Sequence, residues 1–182
     1  MITVISGTNR PASNSRKVAA LLCEMLNEAG ESTALLDLAE LPLEVFESTS
    51  YASVPRSFAP FQSKMLETDG LLMVVPEYNG SFPGVVKYFI DMLSFPDSLN
   101  DKPAAFIGIS AGRWGGVRAV EQLELVFHYR RAHLFGKRCF IPSIGQILDS
   151  SGKITDPEIH DRLRETTLDF ALFCRQLCRD TE

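Results

Sequence analysis

Ile2-Thr3-Val4-Ile5-Ser6-Gly7-Thr8-Asn9-Arg10-Pro11-Ala12-Ser13-Asn14-Ser15-Arg16-Lys17 is the stretch around which this chain is organised. Its first residues, Ile2 to Ser6, form a mostly apolar run that reads as a strand buried on both faces. A helix is predicted from about Ser15 to Ala29. Val18, Leu22, Met25 and Ala29 fall on one stripe there, and Leu21 and Leu26 widen it. Between strand and helix lie hydroxyls, amides and basic residues, with no acid. Unpaired amide N–H groups at a helix start attract anions, and the helix dipole adds to the pull. The spacing therefore predicts a site for a phosphorylated ligand. Ser13 or Ser15 can cap the helix, and Gly30 can stop it.

The same strand-then-helix pattern recurs along the chain. A second strand is expected over about Ser32 to Leu38. A long connection, residues 39 to 57, contains Pro42, Phe46, Tyr51 and Pro55 and reads either as a surface loop or as a flap beside the site. A helix from about Phe58 to Thr68 precedes the apolar run Gly70 to Val75. Pro76-Glu77-Tyr78-Asn79-Gly80-Ser81 then leads into a helix with Ser81 as its expected cap, carrying Val85, Val86, Phe89, Ile90 and Leu93 on one face and ending by Pro96. A fourth strand over about Pro103 to Ser110 opens into Ser110-Ala111-Gly112-Arg113-Trp114-Gly115-Gly116. The following helix carries Val117, Val120, Leu123, Val126 and Phe127. A fifth strand spans about His133 to Ile141. A last helix runs from about Asp156 to Arg179, with Ile159, Leu163, Thr166, Phe170, Phe173 and Leu177 on its inner face.

Alternating strands and helices indicate a parallel sheet covered on both sides. Five strands suit a flavodoxin-like three-layer α/β sandwich of order 2-1-3-4-5, with residues 1–182 forming one domain. No internal repeat or linker interrupts it.

Composition narrows the classes of function. Apolar residues make up 45% and the formal net charge is −5, so a general nucleic-acid or anionic-membrane surface is not expected. No apolar run is long enough to span a bilayer, and the N-terminus has no leader pattern, so a cytoplasmic protein is expected. Cys23, Cys139, Cys174 and Cys178 lack metal spacing and read as reduced thiols.

In an open parallel sheet, ligands bind beyond the carboxyl ends of the strands, where the strand order reverses. The loops after strands one, three and four should therefore converge. The first loop is neither G-x-x-x-x-G-K-[ST] nor G-x-G-x-x-G. It offers instead the hydroxyls of Thr8, Ser13 and Ser15, the side chain of Arg10 and backbone N–H groups, a set that suits a terminal phosphate. Asp37, where a ribose-binding acid would lie in a dinucleotide enzyme, reads as structural without those glycines. Tyr78 offers an aromatic face, Asn79 and Gly80 offer edges and backbone, and Gly112, Gly115 and Gly116 allow close backbone approach to a flat ring. Arg113 can help to hold an anion. Trp114 reads as a packing or surface aromatic. A phosphate beside a flat polar heterocycle describes a mononucleotide, with flavin mononucleotide (FMN) the best fit.

These residues resemble the NADPH-dependent FMN reductase family, which includes flavin-dependent quinone, azo-dye and chromate reductases. The resemblance is carried by Gly7 to Ser15, by Pro76 to Gly84 with Lys87 and Asp91, by Ser110 to Gly116, and by Ile154-Thr155-Asp156. It implies that Thr8, Arg10, Ser13 and Ser15 hold the FMN phosphate, with Asn14 nearby. It implies that Pro76, Glu77, Tyr78, Asn79 and Gly80 line the isoalloxazine, and that Ser110, Gly112, Arg113 and Gly115 close its other side. The family often has asparagine at the position of Ser15, so either Asn14 takes that role or Ser15 caps the helix. It further implies a homodimer or homotetramer, with the 39–57 segment and the fourth helix as contact surfaces.

The function expected is an oxidoreductase that passes a hydride from NADPH or NADH to FMN and the electrons on to a small-molecule acceptor. The cofactor carries that chemistry, so no side-chain acid, base or nucleophile is assigned, and His128, His133 and His160 lie outside the three loops. The rival is a flavodoxin-like electron carrier or flavin-binding sensor without NAD(P)H turnover.

Overall fold

A computed structural model describes residues 1–179. Strands β1 (Ile2–Ser6), β2 (Thr33–Asp37), β3 (Gly70–Pro76) and β4 (Pro103–Ile109) pair in parallel in the order β2-β1-β3-β4. The fifth position, beside β4, is filled by two short pieces, β5 (His133–Leu134) and β6 (Cys139–Ile141). The doubly wound order read from the sequence is thus the one observed, with the single expected strand over 133–141 corrected to two.

Register explains that break. Pro103 pairs with His133, whereas Ile107 pairs with Cys139, so two extra residues are taken up between the pieces. An even offset keeps side chains on their original faces. Phe135 still packs on the rings of Phe170 and Phe173. Lys137 pairs with Glu165 and Asp169, and Arg138 with Glu121 and Glu124. This sheet edge is therefore irregular and charged, which blunts pairing with other chains.

Alternation along β3 divides the core. Leu71, Met73 and Val75 join the side covered by α2 (Ala59–Glu67), α3 (Gly84–Met92) and α4 (Val117–Tyr129). Leu72 and Val74 face α1 (Asn14–Glu28) and α6 (Pro157–Arg179). Every residue of β3 and β4 is buried, which is why both read as continuous apolar runs. Helix α1 starts at Ser13, whose Oγ accepts the Arg16 N–H at 3.1 Å, and stops as expected at Gly30, with φ +84. Burial pushes the Cys174 thiol up to about 12 and raises those of Cys139 and Cys23 as well, so these three act as packing groups.

Local details differ from expectation in two places, at Ser81 and at residues 144–147. Ser81 does not cap α3. The helix begins after Pro83 with no side-chain cap, and Ser81 pairs across a tight turn with Tyr78. The 39–57 connection is a chain of short 3-10 turns that buries Leu41, Val45 and Ser50. Phe46 packs edge-on to Tyr88 of α3 at 5.0 Å, which ties the segment to that helix. A short helix, α5 (Ile144–Ile147), lies where only a loop is expected. Among the described residues, no helix is long and apolar enough to cross a membrane.

Gly7 is the tightest point of the fold near the site. Its N–H donates to the Val74 carbonyl at 2.9 Å, and a Cβ at this position would lie 2.5 Å from the same oxygen. Gly7→Ala must therefore push β1 away from β3 at its carboxyl end. A loss of about 3 kcal/mol in urea unfolding is expected. A change near zero would show that this junction is more yielding than the geometry implies.

Candidate functional site

β1, β3 and β4 end side by side, and the loops beyond them bound a cleft of about 330 Å³. Its walls are Arg10 to Ser15 from the first loop, Pro76 to Tyr78 from the second, and Ile109 to Ala111 after β4, with Ile144 from α5.

The first loop supplies donors. The N–H groups of Asn14 and Ser15, in the first turn of α1, meet no protein acceptor among the described residues, and that turn contains no acid. They add to the positive end of the helix dipole. Ala12 holds a left-handed φ of 50, a costly conformation for a residue with a side chain, where the loop bends into the helix. Arg10 is the cleft's cation. Arg16 instead pairs with Asp37 at 3.2 Å, and Lys17 lines a separate groove with Gly152 and Lys153. Asp37 also accepts the Ala39 N–H, the structural role expected for it.

The second loop is locked to the first. Tyr78 Oη and Thr8 Oγ1 are 2.7 Å apart, and Thr8 is fully buried. Thr8 Oγ1 also accepts the Arg10 N–H at 3.3 Å, while the Arg10 guanidinium sits 6.0 Å from the Tyr78 ring centre. Asn79 and Gly80 have φ of 52 and 79, and Tyr78 and Ser81 exchange backbone hydrogen bonds around them. Asn-Gly is the sequence signal for such a two-residue turn. Gln122 of α4 donates to the Gly80 carbonyl at 2.9 Å and accepts from Ser81 Oγ at 2.7 Å. One turn earlier on α4, Arg118 pairs with Glu77 Oε1 at 3.1 Å. The second carboxylate oxygen of Glu77 is buried without a hydrogen-bond partner among the described residues.

The third loop is held from beneath. A Cβ on Gly115 would meet Phe140 at 2.9 Å, and one on Gly116 would meet the Ile109 nitrogen at 2.7 Å. Both glycines have positive φ. They let the loop lie against β4 and β6. The Gly112 carbonyl accepts from Ser110 Oγ and the Ser143 N–H, and the Ser110 carbonyl accepts the Ile144 N–H. That last pair of contacts brings α5 to the cleft.

Of the residues expected from sequence, Arg10, Ser13, Asn14, Ser15, Pro76, Glu77, Tyr78 and Ser110 line the cleft. Thr8 lies behind the wall as a brace. Asn79 and Gly80 form the turn, while Gly112, Arg113 and Gly115 lie outside the lining. Sequence reading missed the apolar contributors Ile109 and Ile144 and the props Arg118 and Gln122. Only the spacing of Arg118 and Gln122, four apart on one helix face, could have hinted at a shared role.

The sequence model of the NADPH-dependent FMN reductase family matches residues 1–145. The NAD(P)H-dependent FMN reductase PA1204 of Pseudomonas aeruginosa is 32% identical over 152 residues, 81% of each chain. A quinone reductase of Pseudomonas putida is 32% identical over 163 residues, 85% of this chain and 84% of its own. Among solved structures, the flavoenzyme NAD(P)H:(acceptor) oxidoreductase FerB of Paracoccus denitrificans superposes with a TM-score of 0.82 at 25% identity, covering 96% of this chain and 97% of that one.

The Thr8–Tyr78 contact is open to a double-mutant cycle. Tyr78→Phe should cost about 1 kcal/mol and Thr8→Val somewhat more, because Thr8 also accepts the Arg10 N–H. The double variant should lose little beyond Thr8→Val, a coupling of about 1 kcal/mol in urea unfolding. Strict additivity would mean that the two loops are not joined through these hydroxyls.

Proposed function

The chain belongs to the NADPH-dependent FMN reductase family, and on that footing we propose that its cleft holds FMN and serves transfer of electrons from NAD(P)H to a quinone-like, azo or similar small-molecule acceptor. One observation supports the placement: an acid-free, donor-rich cradle at the start of α1 sits beside a wall that holds a carboxylate oxygen unpartnered among the described residues. The free N–H groups of Asn14 and Ser15, the Ser13 hydroxyl and Arg10 match three phosphate oxygens. Glu77 Oε2 lacks the N–H or O–H donor that a flavin with its ribityl chain carries. The residues present therefore fit FMN.

FMN held there would supply the redox chemistry that links a nicotinamide to an electron acceptor. The chain's own work is binding and orientation. Arg10, Ser13, Asn14 and Ser15 fix the phosphate. Thr8 holds Tyr78, and Arg118 and Gln122 hold the loop from Pro76 to Gly80, so that a flat ring meets a set surface. Ser110 contributes to the opposite wall. Gly112 and Gly115 shape the loop that carries it, and Arg113 adds positive charge at the rim. We place the protein in the cytoplasm as a single domain.

We further propose a homodimer, with pairing into a homotetramer as its higher state. An apolar groove of about 550 Å³ runs between α3 and α4, with Phe95, Leu125 and Tyr129 exposed along it. Lys87 and Asp91 line the same groove but are paired with each other at 2.6 Å, so the face brings balanced charge and exposed apolar area to a twofold contact. The 39–57 segment packs on α3 and extends this face.

The purified protein should show flavin absorption bands, and NADPH or NADH should bleach them rapidly without oxygen. A colourless protein that cannot be reconstituted with FMN would end this reading, and flavin bands that resist both nicotinamides would leave an electron carrier. Arg10→Ala should weaken FMN about 10–30-fold by calorimetric titration, the loss of one charge-assisted contact. Arg118→Ala should weaken it less, since Arg118 acts through Glu77. Leu125→Glu should halve the mass in sedimentation equilibrium, and an unchanged mass would place the interface elsewhere.

A further inference from the structure

Trp114 is the only tryptophan of the chain, and it is 53% exposed. Neither Trp114 nor Arg113 belongs to either apolar core. Both stand on the third loop, between Ser110 and Ala111, which line the cleft, and Arg118, which holds Glu77 in its wall. The Arg113 guanidinium lies 4.9 Å from the indole centre and that of Arg118 lies 5.8 Å away. The charge of Arg118 is matched by Glu77. Arg113 is exposed and makes no ion pair among the described residues, so its charge is unspent.

An exposed indole beside an unpaired guanidinium has an identifiable chemistry. The indole offers a flat stacking surface, and the guanidinium offers a planar fork of donors that matches a carboxylate or sulfonate. Neither group contributes to the fold's interior; a cation–π contact at the surface holds the two together and pre-orients the guanidinium beside the ring. We propose that Trp114 and Arg113 form a recognition ledge at the cleft mouth that favours planar electron acceptors bearing a negative charge, such as sulfonated or carboxylated quinones and azo compounds. The proposal rests on the reductase reading and adds to it the charge and shape of the acceptor.

Emission from Trp114 reports on the ledge directly. Apoprotein and FMN-loaded protein are titrated, without nicotinamide, with anthraquinone-2-sulfonate and with uncharged 2-(hydroxymethyl)anthraquinone. The sulfonate should bind roughly tenfold more tightly, the size of one charge-assisted contact. Arg113→Gln should abolish that preference, and Arg113→Lys should retain most of it. Raising the salt should weaken the sulfonate and spare the neutral compound. In steady-state turnover, the ratio of kcat/KM for the two acceptors should fall with Arg113→Gln by the same factor, mainly through KM. Equal binding of the two quinones, or a preference that survives Arg113→Gln, overturns the proposal. So does a variant that raises the KM for NADPH while leaving the acceptor ratio in place, because the ledge then serves the nicotinamide nucleotide. The quenching titration needs no turnover. A protein that shows the sulfonate preference but is not bleached by NADPH would therefore break the reductase reading and leave the ledge standing as a binding surface.

Discussion

The parallel pairing of β1 with β3 is the constraint on which the cleft depends. Ser6 is level with Val74, and the next hydrogen bond, from the Gly7 N–H to the Val74 carbonyl, carries the pairing one residue past the strand. No side chain fits between Gly7 and that carbonyl. The first and second loops therefore leave the sheet in contact, and Thr8 and Tyr78 meet within two residues of their strand ends. A looser junction would separate the donor cradle from the wall beside it. Positioning at this scale is what a cofactor site asks of its scaffold, since the protein's share is orientation and electrostatics.

Much of this was legible in the sequence because it rests on local chemistry. Buried strands leave apolar runs, and β1, β3 and β4 show them plainly. A capping serine ahead of an amphipathic stripe marks the start of α1. Strand order and the convergence of three loops then follow from general rules of open α/β sheets. The less legible features all depend on tertiary partners. Arg16 and Lys17 look like part of a basic cluster, yet Asp37 claims one and a different groove holds the other. Gly115 and Gly116 look like ligand-facing glycines, but the close neighbour that requires them is the chain itself. The break between β5 and β6 has no signature beyond Gly136, because the extra residues are accommodated by α4 and α6 rather than by local preference.

Helix α4 illustrates how a residue outside the cleft can still govern it. Its first two turns present Arg118 and Gln122 to the second loop, one pairing with Glu77 and the other bridging Gly80 and Ser81. Later on the same helix, Leu125 and Tyr129 form part of the exposed apolar groove. A partner that covered the groove would thus press on the element that braces the site. Oligomer and cleft would then be coupled through one rigid body, without any conformational switch.

Electrostatics at the mouth and over the whole surface have opposite signs. The chain carries a formal net charge of −5, which on its own would repel phosphate-bearing molecules. In physiological salt, however, charges more than about 8 Å apart are largely screened, so the distant acids count for little at the cleft. Closer in, Arg10 lines the cleft, Arg118 is balanced by Glu77, and Arg113, beside Trp114, has no ion-pair partner among the described residues. The free N–H groups at the start of α1 add a fixed positive pole that no pH change removes. The field felt by an approaching anion is therefore that of the three loops rather than that of the chain. An acidic protein can in this way discourage nucleic acids over its surface while keeping a locally positive cleft.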